Sequence, residues 1–335
     1  MKARGRAARR ALGKAGYGAV AAFALLALAA TTAAPAAGAR AVPAGRAESA
    51  AAFWTPARMK QAEPLDLRLP GRVEIAPGGH ADTAGAFARV HPPLAPQFPA
   101  TSSSAFETVA DPTAAATRVH GAIFIETPFG LGRCSGTSVN APNYSVVFTA
   151  AHCIHSGGRF GFWTDFHWVF VPGYRYGQRP FGVFAAKWID TTLQWRTTGS
   201  ENFDVGAAVV GRNERGQLLA KAVGGTGIAW GLKQRQVFDV HGYPAAEPFD
   251  GETQQLCSQT PFLGHDPQSI LAPGPLNLAV DCNVTGGASG GGWTIRGNIL
   301  NGVTNYGYGD DLATDFGAYF GKEVGRLFHR AGRIR

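Results

Sequence analysis

Charge is scarce in this 335-residue chain, at 16% of residues. The positive excess sits mainly in one place. Residues 1 to 41 hold seven basic residues and no acidic one, whereas residues 119 to 335 hold 17 basic and 16 acidic residues, a net charge of +1. The formal charge of +8 therefore belongs mostly to the N-terminus, and no basic face for nucleic acid is implied. Long apolar runs are also missing. The longest, Tyr17 to Ala30, has 14 residues and is too short to span a bilayer comfortably. Cysteine is limited to four residues, with no Cys-x-x-Cys pair and no His-Glu-x-x-His, so the common zinc frameworks are absent. No internal repeat stands out. At 45% hydrophobic residues the chain is nevertheless globular rather than disordered.

The first 39 residues read as a secretory signal peptide: a basic stretch from Lys2 to Lys14, the apolar run, then Ala34-Pro35-Ala36 or Ala37-Gly38-Ala39 as a cleavage site. Secretion, and no stable membrane association after cleavage, are expected. Residues 40–118 differ in composition. Ten of the 21 prolines lie between residues 42 and 118, among Ala, Ser, Thr and Gly. Such a stretch buries little apolar surface, so a propeptide or linker is expected, with Arg118-Val119 as one possible junction. From Val119 onward, short apolar strands alternate with Gly, Pro and Asn turns. Examples are 119–126, 134–139 and 145–149. This pattern points to an all-β sandwich or barrel. Residues 322–335 read as a short helix, with Val324, Leu327 and Phe328 packing on the second barrel and Arg326, Arg330 and Arg333 solvated.

The chemistry concentrates in the run Thr285-Gly286-Gly287-Ala288-Ser289-Gly290-Gly291-Gly292-Trp293. Glycines let a backbone turn tightly and approach a ligand, and its N–H groups can then stabilise a developing oxyanion. A serine hydroxyl needs a base to become a nucleophile. Upstream lie Phe148-Thr149-Ala150-Ala151-His152-Cys153 and Asn202-Phe203-Asp204-Val205-Gly206, so the order is His, Asp, Ser. These motifs resemble those of the chymotrypsin-like (trypsin-fold) serine peptidases, over about residues 119 to 335. Asp190 and Asp165 are rivals to Asp204, but neither precedes an apolar strand like Val205 to Val210.

The resemblance implies two antiparallel six-stranded β-barrels with a short C-terminal helix, residues 119–215 forming the first and 216–335 the second. It implies that His152 is the general base, Asp204 its orienting partner and Ser289 the nucleophile, with the N–H groups of Gly287 and Ser289 as the oxyanion hole. It also implies a Cys134–Cys153 disulfide, leaving Cys257 and Cys282 to pair with each other. The strand Thr304-Asn305-Tyr306-Gly307 would pair with extended substrate, with a pocket base near Asn283 and near Gly317-Ala318-Tyr319. Trypsin-like enzymes carry an aspartate where Asn283 stands, and glutamyl endopeptidases a histidine where Thr304 stands. A neutral pocket is therefore expected. Ala288 stands where trypsin has the aspartate that pairs with a freed N-terminus, and secreted bacterial relatives of the glutamyl endopeptidase group lack that aspartate as well. No cofactor and no metal are expected, since Asp310-Asp311 offers too few calcium ligands to claim. The expected protein is a monomeric secreted endopeptidase acting on protein or peptide substrates. The rivals are an inactive binding protein on the same fold and an α/β-hydrolase, whose order Ser, Asp, His this chain does not follow.

Overall fold

Side-chain alternation decides the region that begins at residue 120. The six strands are β1 (His120–Thr127), β2 (Gly130–Val139), β3 (Val146–Thr149), β4 (Phe166–Pro172), β5 (Phe184–Thr191) and β6 (Gly206–Val210). Ile123, Ile125, Phe170, Phe184 and Val210 turn into one core, while the intervening Ala122, Phe124, Val169, Val171 and Ala185 belong to another. The antiparallel pairings run β1–β2–β3–β6–β5–β4 and return from β4 to β1. The ring is therefore closed and has no free edge of its own. These coordinates are a computed structural model that describes residues 38–65, 67–71, 75, 86–88 (backbone only), 103–309 and 311–335. The leader up to residue 37, with Ala34-Pro35-Ala36 and the first residue of Ala37-Gly38-Ala39, lies outside the described residues, as does Asp310.

A second sheet follows: β7 (Gly227–Trp230), β8 (Val237–Gly242), β9 (Gln255–His265), β10 (Leu278–Asp281), β11 (Gly292–Ile295), β12 (Ile299–Val303), β13 (Tyr306–Tyr308) and β14 (Asp311–Gly317). Its path is β12–β11–β8–β9–β10–β14–β13, and β7 runs parallel to β12. The chain passes from β12 through Thr304 and Asn305 into β13, so one segment supplies both ends of that path. Phe238, Val240, Val280, Trp293 and Ile295 fill the core, and the Cys257–Cys282 disulfide bridges β9 to the segment after β10. This is a chymotrypsin-like fold, mostly β, with a helix at the C-terminus.

Two apolar faces on the outside of the first barrel need cover, and both get it. The helix Lys322–Gly332 lays Val324, Leu327 and Phe328 on Val146, Phe148, Ala207 and Val209, together with Leu300 and Val303. The sequence placed this helix on the second barrel. It spans both, because β3 and β6 present apolar side chains outward as well as inward. Arg330 is likewise not simply solvated, since it pairs with buried Asp190.

The second cover comes from the proline-rich stretch. The helix Ala44–Phe53 and the turn Pro56–Lys60 bury Ala50, Trp54 and Met59 against Phe124, Val169 and Tyr174. Arg40 and Arg46 both pair with buried Asp165. Short strands from the same region pair with stretches that the neighbouring strands leave open. Arg40–Ala41 joins β5, Glu63–Pro64 joins β2, Arg68–Leu69 joins β13 and Glu107–Thr108 joins β9. Composition understates this segment. A few large residues, Trp54 above all, supply burial that the averages conceal.

Where the first barrel meets the second sheet, two buried histidines stack. The His120 and His241 ring centroids lie 3.6 Å apart, with His120 Nδ1 on Thr137 Oγ1 and His241 Nδ1 on the Gln254 side chain. Burial lowers the pKa of both, His241 to about 3. An unfolded histidine takes up a proton below about pH 6.5, which the folded protein refuses until much lower pH. Stability is therefore expected to fall as pH drops from about 6.5 toward 3, by up to about 1.4 kcal/mol per pH unit for each such group. Urea midpoints measured from pH 7 to 4 check this. His241→Gln should flatten the dependence, and equal slopes in the two proteins would contradict it.

Candidate active site

Asp204 ends the turn Glu201–Phe203, just before β6, and is fully buried. A carboxylate in such a place needs partners. Oδ1 accepts the backbone N–H of His152 at 2.8 Å, and Oδ2 lies 2.7 Å from His152 Nδ1. The two contacts fix both the position and the plane of the imidazole. His152 itself sits in the single turn Ala151–Cys153 that follows β3. β3 and β6 are paired, with Thr149 opposite Gly206, so the residues that flank these two strand ends are brought together by sheet register. The Cys134–Cys153 disulfide, with its Cα atoms 6.3 Å apart, ties the turn to β2. The Sγ atoms of Cys134 and Cys153 and a His152 ring nitrogen lie within 4.8 Å of one another, but both sulfurs are spent in the disulfide and offer no thiolate to a metal. The rival carboxylates point elsewhere: Asp165 to Arg40 and Arg46, Asp190 to Arg196 and Arg330.

The Ser289 turn is seated against the first barrel. Ser135 of β2 donates its backbone N–H to the Ser289 carbonyl (2.7 Å) and its hydroxyl to the Gly287 carbonyl (2.9 Å). Two glycines there have left-handed backbones, Gly287 at φ +94° and Gly290 at φ +81°. A Cβ on Gly290 would stand 2.0 Å from Thr149 Oγ1 and 2.5 Å from the Ser135 carbonyl, so only glycine fits. Two neighbouring peptide planes are fixed through their carbonyls. Gly286 O accepts from the N–H groups of Ala245 and Ala246, and Ala288 O accepts from Gly291 N. In a trans peptide the N–H points opposite to the C=O. The N–H groups of Gly287 and Ser289 are thereby aimed away from these anchors. Ala288 is buried beside Gly242, in the core cluster that includes Phe106, and provides no carboxylate.

Asn305 joins the two halves. Its Nδ2 donates to the Asp204 carbonyl and its Oδ1 accepts from Ala318 N. Beside Ser289 opens a hollow whose lining includes Thr304, Asn305, Tyr306 and Gly307, four of the residues that the sequence placed at a substrate pocket. The other two lie elsewhere. Asn283 uses its side-chain oxygen to accept the Phe106 N–H, and a Cβ on Gly317 would face the Val303 carbonyl and the Trp293 ring. A larger hollow of about 420 Å³ lies beyond Phe203 and Val205, lined in part by Gly274, Tyr319 and Val324; of the stretch Gly317-Ala318-Tyr319 it is lined by Tyr319.

Two residues at the hollow escaped sequence reasoning. Arg68 lines it from the proline-rich segment, and Asp315 lies buried behind it, with Oδ2 accepting the Thr304 hydroxyl at 2.6 Å. Asp315 stands two residues before Gly317, where a pocket base was expected, and that was its only signal. Trp293 Nε1 also donates to Thr304 Oγ1, at 3.0 Å. Burial raises the Asp315 pKa to about 8 against the pull of Thr304, Trp293, the Phe316 N–H and the Arg68 charge.

The packing of the Ser289 turn sets an expected outcome. Gly290→Ala combines a left-handed φ with a collision against the Ser135–Thr149 pair, and should destabilise by about 1–3 kcal/mol. Chemical denaturation measures this, and an unchanged midpoint would show that the turn is not seated on β2 as described.

No family model matches the chain, and no curated protein does. Solved structures do match. The chain is 33% identical to the protease Anisep from Arthrobacter nicotinovorans, covering 65% of this chain and 96% of that one at a TM-score of 0.58. It is 32% identical to the thermostable serine protease AL20 from an extremophilic microorganism, over 66% of this chain and 100% of that one, at a TM-score of 0.60. A Glu endopeptidase solved with MPD shares the fold, at 16% identity over 70% of this chain and 99% of that one, with a TM-score of 0.51. One residue in three is shared along nearly the whole of Anisep, on the same two-sheet frame, and by that measure the chain belongs to the chymotrypsin-like serine peptidases.

Proposed function

We propose that the chain is the precursor of a secreted serine endopeptidase that cuts peptide bonds through a Ser289–His152–Asp204 triad. The observation that carries this reading is the double contact between His152 and buried Asp204, beside a glycine turn that holds Ser289. His152 takes the Ser289 proton as the hydroxyl attacks the scissile carbonyl. Asp204 holds the ring in the tautomer that leaves Nε2 to act as base, and it stabilises the imidazolium that forms. The Gly287 and Ser289 N–H groups take the developing oxyanion. Each donor in such a hole typically contributes roughly 3–4 kcal/mol to transition-state stabilisation. Collapse expels the amine, protonated by His152, and leaves an acyl-enzyme that water then releases.

The precursor parts belong to the same reading. Residues 1–39 are the signal peptide and 40–118 the pro-segment, with residues 119–215 and 216–335 as the two halves of the enzyme. Both relatives are covered almost completely by about two thirds of this chain, so roughly a third of it has no counterpart in them. Two disulfides suit an oxidising, extracellular setting. Ala288 means that a new N-terminus at Val119 finds no carboxylate at the residue before the nucleophile, so activation does not use that ion pair. The working enzyme is a monomer that needs no cofactor.

The test is labelling of the secreted, processed protein by a fluorophosphonate, with peptide mapping. Label is expected on Ser289 and absent in Ser289→Ala and His152→Ala. Asp204→Asn keeps the shape but loses the tautomer control, and should lower kcat by roughly 10³–10⁴-fold. A folded, disulfide-intact, processed protein that takes no label would defeat the peptidase reading in favour of a binding protein.

A further inference from the structure

The strand edge expected to receive substrate is already taken. β13 is paired, in parallel, with Leu67, Arg68 and Leu69 of the chain's own N-terminal region. Gly307 N–H donates to the Leu67 carbonyl at 3.4 Å, and Gly309 N–H to the Leu69 carbonyl at 3.0 Å. Leu67 and Leu69 pack on the Tyr306, Tyr308 and Phe316 cluster. Arg68, between them, turns inward. Its guanidinium donates to three main-chain carbonyls, Val284 at 3.0 Å and Gly309 and Asp311 at 3.3 Å each. It lies against the Cα of Gly307, where a Cβ would meet Nη1 at 3.0 Å. Together with Ser289, Thr304 and Thr314 it lines the hollow beside the candidate nucleophile.

The hollow is chemically suited to a cation. Three carbonyl oxygens converge on the guanidinium, and carbonyls accept but cannot donate. Behind Thr304 lies Asp315, fully buried, with Oδ2 on the Thr304 hydroxyl and no partner for Oδ1 among the described residues. A buried carboxylate oxygen without a donor is costly unless a positive group is near. Arg68 and Asp315 meet at the wall of one hollow: Arg68 lies against Gly307, Asp315 holds Thr304, and both Gly307 and Thr304 line it. Residue spacing carries no sign of this. Asn283, the position at which an acidic pocket was sought, is bonded to Phe106. The acidic group comes instead from β14, on a different strand.

We propose that the hollow beside Ser289 is a specificity pocket for a positively charged side chain, read by the Val284, Gly309 and Asp311 carbonyls and by Asp315, and that Arg68 is its built-in occupant. The segment Leu67–Leu69 then holds the intact chain inactive by filling both the strand edge and the pocket. Once it is released, the enzyme cleaves after arginine or lysine. This rests on the peptidase reading for the cleavage itself, but the occupancy and the charge preference are properties of the pocket and are testable without turnover.

Benzamidine, a small amidinium, probes the pocket in the full chain carrying Ser289→Ala, which prevents self-processing. Calorimetry well above pH 8, where Asp315 is ionised and benzamidine still protonated, is expected to show at least about tenfold tighter binding once Arg68→Ala is added, because the apparent affinity of an occluded site is reduced by the fraction of time it is open. Adding Asp315→Asn should remove that gain, while Arg68→Lys in place of Arg68→Ala should leave the site closed. Equal binding with and without Arg68 would overturn the occlusion. Undiminished binding with Asp315→Asn would overturn the role of Asp315. In the same chains with Ser289 retained, and their intactness followed by mass spectrometry, Arg68→Ala should also speed fluorophosphonate labelling. The processed enzyme should favour peptides with arginine or lysine before the cut over leucine or glutamate by more than about tenfold. A preference for leucine or glutamate overturns the pocket chemistry. Benzamidine binding without any labelling would leave the pocket standing and defeat the peptidase reading. Labelling without benzamidine binding would do the reverse.

Discussion

The cleft depends on one carboxylate that is fully shielded from solvent. Asp204 is fully buried, and both of its oxygens are satisfied by a single residue, His152, through the main-chain N–H and the ring. In a low-dielectric setting such bonds strengthen, and leaving either oxygen bare would cost more than the bond itself contributes. The arrangement demands that the turn after β3 and the turn before β6 meet, which the β3–β6 register provides. It also demands that the Asp204 backbone stay in place, and Asn305 holds its carbonyl from the opposite sheet. Strand pairing, a disulfide and one amide side chain converge on that one anionic group.

The seam between the two sheets is polar where a simple core would be apolar. Ser135 bonds to Gly287 and, as acceptor, to the Tyr243 N–H, so its one hydroxyl ties the Ser289 turn to the strand-end loop after β8. Nearby, Arg133 is buried with Glu252, whose carboxylate also accepts the Tyr174 hydroxyl. Buried polar groups of this kind add little net stability but tolerate few alternative arrangements. They set the relative position of the sheets, which hydrophobic contact alone would leave less well determined. Arg133 also donates to the Met59 carbonyl of the N-terminal segment, so that segment contributes to the seam as well as to the outer packing.

The N-terminal segment therefore does three physically distinct things. Trp54 and Met59 cover an apolar face of the first barrel. Arg40 and Arg46 neutralise buried Asp165. Leu67 to Leu69 complete the edge of β13, with Arg68 against the pocket. A docked segment with these contacts differs from a free linker, and it is compatible with later removal only if the exposed face is tolerated or covered again.

Much of this molecule was legible in its residues. Phe148 to Cys153, Asn202 to Gly206 and Thr285 to Trp293 carry side chains and glycines whose spacing is local, and the short alternating strands give their period within a few residues of where they form. Asp204 was read ahead of Asp165 and Asp190 because it precedes an apolar strand, but all three are buried, and their partners separate them: His152 for Asp204 and arginines for the other two. What the sequence could not show is what arrives from far along the chain. Asn283 stood at the expected position but turned to Phe106, and Asp315 came to the pocket only because β14 pairs with β10 and β13. Arg68 reaches that pocket across more than two hundred residues of sequence, through a strand edge whose open hydrogen-bonding groups accept any extended partner. Local spacing made the candidate motifs legible, because each is set by neighbouring residues. The tertiary structure alone decided what fills the pocket, because edge pairing depends on which distant segment is free to reach the edge.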